Sequence, residues 1–356
     1  MSDAPLPAAV PSLTKKDFES DQEVRWCPGC GDYAILRAVQ QVFPTLGVPR
    51  EKFVIVSGIG CSSRFPYYMN TYGFHGIHGR APAIASGLKV SRPDLSVWVV
   101  TGDGDALAIG GNHFIHVMRR NVGIKVILLN NQIYGLTKGQ ASPTSPMGAK
   151  SKTTPLGSID RPFNPVSIAL AAGATFVART VDIELAHMGE VLRQAALHEG
   201  TAFVEIYQNC VTFNDGAFDF ITDKATKDET RLLLEHGKPL VFGKARTRGI
   251  RFVGAEPEVI PLDDGRYTEA DCAVHDAHAV GTGAAFLLAQ LEAPGFPLPL
   301  GVFRAVQVPT YEARTTELGE VARARSGAGR LESLLASGTT WTIEAETPLT
   351  PPSAVP

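Results

Sequence analysis

Two sets of side chains have types and spacings suited to cofactor chemistry. The first centres on Asp103 in Thr101-Gly102-Asp103-Gly104-Asp105, followed about one helix and one strand later by Asn130-Asn131. Magnesium takes hard oxygen ligands in near-octahedral geometry and usually shares them with phosphates, so one carboxylate and one amide oxygen at adjacent strand ends suit it. Gly102 and Gly104 let the backbone turn tightly and approach a phosphate, whose charge is favoured by the amides of a following helix start. A lone Gly-Asp-Gly is more often a plain turn than a phosphate site. The second set is the cysteines: Cys27-Pro28-Gly29-Cys30, then Cys61 and Cys210, with Cys272 far off in sequence.

No stretch has the apolar length of a signal peptide or a membrane span, so a cytoplasmic protein without a membrane partner is expected. Thiols stay reduced there, which makes the cysteines metal ligands or redox catalysts before disulfides. The Cys-x-x-Cys pair invites a thioredoxin reading. That motif follows an apolar strand, whereas Asp21-Gln22-Glu23-Val24-Arg25 precedes this one. Four thiolates suit zinc or a [4Fe–4S] cluster, and ligand count alone does not separate them. Cys272 reads as a buried, inert thiol.

The elements that must position these groups follow from hydrophobic pattern. A helical period runs from Tyr33 to Val42, and short apolar runs at Phe53–Ser57, Val97–Val100, Val126–Leu129, Thr175–Ala178 and Ala202–Ile206 predict buried strands. A helix is expected from about Ala106 to Arg119. Continuous apolar strands alternating with crossovers imply an α/β fold: a mostly parallel, doubly wound sheet covered on both faces. In such sheets ligands bind at the carboxyl ends of the strands. Cys61, Asp103, Asn131 and Cys210 each lie just past an apolar run, so residues over a hundred positions apart are expected to meet on one sheet edge.

Elsewhere the pattern is looser. Residues 138–165 show no apolar period and read as a lid or partner-binding segment, whose ordering costs about 1–2 kcal/mol per residue in backbone entropy. Beyond Gly216, short strands at Pro239–Gly243 and Arg248–Val253 and a helix at Val280–Leu291 form a C-terminal α+β extension. The expected organisation is a leader over 1–21, a cofactor domain over 22–220, an extension over 221–345 and a disordered tail over 346–356. There are no internal repeats. The 356 residues, 44% hydrophobic and 19% charged with a formal net charge of -3, describe a globular protein with no basic field for nucleic acid.

The Asp103 and Asn131 pairing resembles the signature of thiamine-diphosphate enzymes. Taken with Trp26-Cys27-Pro28-Gly29-Cys30-Gly31-Asp32, Gly58-Ile59-Gly60-Cys61-Ser62-Ser63-Arg64, His78-Gly79-Arg80-Ala81, the run Gly102–His113 and Tyr134-Gly135-Leu136-Thr137-Lys138-Gly139-Gln140, the sequence resembles the β subunits of 2-oxoacid:ferredoxin oxidoreductases. The likeness covers about 20–220, with a weaker echo at Gly301–Arg304 and Pro309–Glu312.

That resemblance implies thiamine diphosphate, Mg2+ and one [4Fe–4S] cluster. The metal would be held by Asp103, Asn131 and the backbone oxygen of Ile133, and the cluster by Cys27, Cys30, Cys61 and Cys210. Gly60, Cys61, His78, Gly102, Gly104, Asp105, Gly135, Leu136 and Thr137 would line the cofactor, although a histidine such as His78 in a helix-start turn is as often structural. Arg64 and Lys138 would hold substrate carboxylates; taken alone, each is an ordinary solvated charge. An α subunit would supply the glutamate that activates the thiamine, and ferredoxin and coenzyme A would complete the reaction. Likeness across Ser142–Pro165 favours 2-oxoglutarate, giving succinyl-CoA. The alternatives are a pyruvate or broad-specificity enzyme, a non-redox thiamine-dependent decarboxylase, and a zinc-binding scaffold.

Overall fold

The computed structural model describes residues 13–344. The tail expected over 346–356 lies outside them. Eight strands build the main sheet: β1 (Phe53–Ser57), β2 (Tyr72–His75), β3 (Ser96–Gly102), β4 (Ile124–Asn130), β5 (Phe176–Val181), β6 (Ala202–Tyr207), β7 (Arg231–Leu234) and β8 (Leu298–Ala305). Their spatial order is β2-β1-β3-β4-β6-β5-β8-β7. Every pairing is parallel except β8 against β5, where a register shift falls between Val302 and Arg304.

The apolar runs are continuous because both faces are covered. Val97 and Val99 of β3 point into one core with Phe114, Val117 and Met118, whereas Trp98 and Val100 point into the other with Ile35, Val39 and Leu192. Successive side chains on a strand face opposite ways, so a strand buried on both sides has no polar position to spare. α1 (Asp32–Val42) and the helix Leu185–Leu197 cover the second face, and Ala81–Ser91, Gly111–Arg120 and Pro165–Ala171 cover the first. Phe18, within the expected leader, is fully buried between Phe43 and Phe53.

Several expectations shift. The helix expected to run from Ala106 breaks into Asp103–Leu107 and Gly111–Arg120. At the break Gly110 and Gly79 pack backbone to backbone, and a Cβ on Gly110 would sit 2.4 Å from the Asp105 carbonyl oxygen. The strand expected at Thr175–Ala178 begins one residue later and runs on to Val181, and the helix expected at Val280–Leu291 is Gly283–Ala289. Pattern reading missed β2, β7 and β8. β2 is an exposed edge strand containing a glycine, and β8 is interrupted by Pro299 and Gly301. A second, antiparallel sheet joins Val241–Phe242, Arg248–Val253 and Glu256–Pro261.

The residues up to Glu312 form one compact unit, and those from Ala313 form another, containing the rest of the helix Tyr311–Ser326 and the short helix Leu331–Leu335. Glu312 belongs to the first, where its carboxylate accepts from Gly123 N at 3.1 and 3.2 Å. No helix among the described residues is long and apolar enough to cross a membrane.

Candidate active site

Because β1, β3, β4 and β6 are parallel neighbours, the segments after them emerge on one edge of the sheet. Those segments carry Gly60 and Cys61, Asp103, Asn131, and Gln208 to Cys210. Two of the cavities that open there adjoin. The first is lined by Gly60, Cys61, His78, Gly102, Asp103, Gly104 and Asp105, and on its other side by Asn131, Ile133, Gly135, Leu136 and Thr137. The second is lined by Cys27, Cys30, Cys61 and Cys210, with Arg64 and Lys138 beside them. Cys61, Asn131, Gly135, Leu136 and Gln208 wall both.

Asp103 begins the helix after β3 and is 2% exposed. Its Oδ2 accepts from Ser142 Oγ at 2.5 Å and Thr144 Oγ1 at 2.6 Å. Burial pushes its pKa up to about 6, against the pull of those hydroxyls and of backbone amides. Asn131 turns its Nδ2 to Gln208 Oε1 at 2.9 Å, leaving Oδ1 to accept from Ile133 N at 3.2 Å. A buried carboxylate and an amide oxygen are thus presented to one cavity, the donor set a magnesium diphosphate needs. Gly104 has no room for a side chain: a Cβ would lie 2.1 Å from the Tyr134 ring, whose hydroxyl donates to Gly104 O at 3.3 Å.

Asp105, although its residue lines the first cavity, spends its carboxylate on the scaffold. Thr101 Oγ1 donates to it at 2.7 Å, and the amides of Ile59 and Gly79 do so at 3.1 and 2.8 Å. His78 Nδ1 lies 2.6 Å from the same carboxylate. Gly58 is required beneath it, since a Cβ there would fall 2.1 Å from Asp105 Oδ2. Arg80 donates to Ile109 O at 3.2 Å and so braces the helix break.

All five cysteines are free thiols. Trp26 anchors the Cys27–Cys30 turn by donating its indole N–H to Cys61 O at 2.8 Å. A Cβ on Gly135 would touch Cys210 Sγ and Cys61 Sγ at 3.5 and 3.7 Å, so the missing side chain keeps the space between those sulfurs clear. Burial and the neighbouring Asp32 carboxylate drive the Cys30 thiol well above its ordinary range, and the same causes push Cys61 to about 11. Bringing such sulfurs to the thiolate state takes a strong counter-charge, which a metal centre provides. Among the described residues, no three His, Cys, Asp or Glu side chains close on a single-ion position. Arg64 donates to Arg25 O at 2.8 Å, and Lys138 takes a left-handed φ of 74°. Cys272 lies elsewhere, buried against Ile260 and Val241.

Sequence reading passed over several groups at this edge. Ser142 and Thr144 sit in the segment read as structureless, and short hydroxyl side chains in a loop carry no pattern that marks them. Asp32, at the start of α1, is 1% exposed with neither carboxylate oxygen hydrogen-bonded. Burial raises its pKa to about 7. Its place directly after the cysteine pair was the available signal. Asn130 donates to Glu205 Oε1 at 2.7 Å, and Glu205 Oε2 accepts from Arg179 Nε at 2.7 Å, an ion pair fully buried in the sheet.

Comparisons with known proteins identify the family. Residues 58–206 match the family described as "Thiamine pyrophosphate enzyme, C-terminal TPP binding domain". The chain is 51% identical over 351 residues to the 2-oxoglutarate oxidoreductase subunit KorB of Mycobacterium tuberculosis, covering 94% of this chain and 93% of that one. It belongs to the 2-oxoacid:ferredoxin oxidoreductase β-subunit family. A second member, subunit beta of 2-oxoacid:ferredoxin oxidoreductase 1 from Aeropyrum pernix, is 48% identical over 190 residues, 53% of this chain and 60% of the relative. A solved member, 2-oxoglutarate:ferredoxin oxidoreductase from Magnetococcus marinus, has 2-oxoglutarate, coenzyme A and succinyl-CoA bound. It superposes with a TM-score of 0.73 at 34% identity, over 93% of this chain and 98% of that one.

Proposed function

We propose that this chain is the thiamine-diphosphate-binding, iron–sulfur β subunit of a cytoplasmic 2-oxoglutarate:ferredoxin oxidoreductase. With an α subunit it converts 2-oxoglutarate and coenzyme A to succinyl-CoA and CO2, passing the electrons to ferredoxin. The observation that carries this reading is the common wall: the cavity of Asp103 and Asn131 and the cavity of the four thiols share Cys61, Asn131, Gly135, Leu136 and Gln208.

Thiamine diphosphate, when bound, supplies the nucleophilic carbon and the electron sink for decarboxylation. The chain's own residues bind and orient. Asp103, Asn131 Oδ1 and the Ile133 carbonyl would hold Mg2+ on the diphosphate. The backbone at Gly102 and Gly104 gives the phosphates a close approach. Cys27, Cys30, Cys61 and Cys210 would ligate the [4Fe–4S] cluster. The four thiols line one cavity beside the diphosphate seat, where a cluster could take electrons from the bound cofactor, a task zinc has no redox chemistry to perform. Of the cations lining the second cavity, Arg25, Arg64 and Lys138, the last two would hold the carboxylates of 2-oxoglutarate. The activating glutamate would come from the α subunit.

The test is anaerobic co-purification with the α subunit, iron and zinc analysis, and dye reduction with 2-oxoglutarate or pyruvate in the presence of coenzyme A. The expected result is about four irons per β chain and coenzyme-A-dependent reduction favouring 2-oxoglutarate. Stoichiometric zinc without iron overturns the cluster, a preference for pyruvate overturns the substrate, and full activity of the isolated chain overturns the need for a partner.

A further inference from the structure

Gln208 stands where the two cavities meet. It follows β6 directly, is 1% exposed, and its backbone N–H donates to Asn130 O at 2.9 Å, which ties it to the end of β4. Its side-chain amide has both ends engaged. Oε1 accepts from Asn131 Nδ2 at 2.9 Å, while Nε2 donates to Cys30 Sγ at 3.3 Å and to Asn209 O at 2.5 Å. The hydrogen-bond pattern sets the orientation of the amide: turned over, its NH2 would face the Asn131 NH2 and its oxygen would face the Asn209 carbonyl.

We propose that Gln208 is a positioning residue that serves both cofactors, orienting the metal-facing amide of Asn131 and donating an N–H···S bond to the cluster ligand Cys30. The proposal rests on the reading that the four thiols hold a cluster. On the diphosphate side, committing Asn131 Nδ2 to Gln208 keeps Oδ1, the only atom of that amide able to ligate a hard cation, on the opposite side of the amide from Gln208, in a residue that lines the first cavity. On the sulfur side, an N–H aimed at a cluster thiolate stabilises the more negative, reduced state and raises the reduction potential. Both effects are strong because the amide is buried. One side chain therefore ties the donor group's seat to the energy of its electron acceptor.

The test uses the α/β complex, purified anaerobically, as parent, Gln208→Leu and Gln208→Glu. The readouts are iron content, the midpoint potential by redox titration followed by electron paramagnetic resonance, and Mg2+-dependent thiamine diphosphate affinity by calorimetry. Leu removes both bonds. It should lower the potential by about 59 mV or more, a tenfold change in the one-electron equilibrium, and weaken the cofactor about tenfold. Glu, measured above pH 8 so that it is ionised, keeps an acceptor for Asn131 but loses the donor to Cys30. It should show the lower potential with cofactor affinity within about threefold of the parent. A parent with four irons and variants at an unchanged potential overturns the proposal while leaving the cluster reading intact. Loss of iron from both variants also overturns it, since a tuning bond is not needed to bind iron. A parent without iron overturns the cluster reading itself and this proposal with it.

Discussion

Thr144→Val isolates one contact that holds Asp103. Valine matches threonine in shape and removes only the hydroxyl, which lies 2.6 Å from Asp103 Oδ2 and 2.9 Å from Asn130 Oδ1. The Asp103 carboxyl titrates at about 6 with that hydroxyl present, burial outweighing its donors. A hydrogen bond to a charged group contributes about 1.5–3 kcal/mol, and a pKa unit corresponds to about 1.4 kcal/mol. The variant carboxyl should therefore titrate about 1–2 units higher, at roughly 7–8. Magnesium needs the ionised form, so at pH 7 it competes with a proton in the variant and hardly at all in the parent. Apparent affinity for Mg2+ with thiamine diphosphate should fall roughly two- to tenfold at pH 7 and return close to the parent value by pH 9. Calorimetric titrations of both proteins at pH 6, 7, 8 and 9 measure this directly. Equal affinities at pH 7, or a deficit that persists unchanged at pH 9, would refute the linkage between this hydroxyl and the metal seat.

Gly104→Ala places a methyl 2.1 Å from the Tyr134 ring, so the ring and the Gly104 backbone must move apart; calorimetry should show weakened thiamine diphosphate binding and the melting temperature should fall. Glu205→Leu strands the buried Arg179 guanidinium without its counter-charge and should cost about 3–5 kcal/mol in urea denaturation. Arg179→Met in that background should recover part of the loss. His198, buried and beside Lys125, has its pKa lowered to about 4, so the folded state refuses a proton that the unfolded chain accepts below about 6.5. Its share of stability is complete above that pH and drains away as pH falls toward 4, by up to about 3 kcal/mol. In His198→Asn the slope of stability against pH across that window should flatten; an unchanged slope would remove His198 as its source.

Much of the sheet was legible because its central strands are buried on both faces, and burial writes itself as an unbroken apolar run. Phe53–Ser57 and Ala202–Ile206 could hardly be read otherwise. The same rule explains what was missed. Tyr72–His75 pairs on one side only and stands in solvent, and Leu298–Ala305 carries a proline and a glycine that argue against a strand until its antiparallel pairing to Phe176–Val181 is seen. The candidate cofactor edge was readable where the proposed function calls for rare residue types at strand ends, as with Asp103, Asn131 and the cysteines. It was unreadable where function rests on common types meeting in space: the hydroxyls of Ser142 and Thr144, the amide of Gln208, and the Arg179–Glu205 pair. The helix break at Gly110 belongs with these, since the close packing of Gly79 against it is made in space and not in sequence.

The segment that supplies Ser142 and Thr144 runs on, within fifteen residues of Thr144, to Leu156 and Ile159, which are 96% and 90% exposed. One end grips a carboxylate at the base of the molecule's chemistry; the other offers bare hydrocarbon to water. Both ends draw on the freedom of a single stretch of chain, so whatever immobilises one end has already met part of the cost of immobilising the other. Covering those two side chains would then favour the hold on Asp103, and if Asp103 holds a metal as proposed, filling that seat would by reciprocity make them easier to cover.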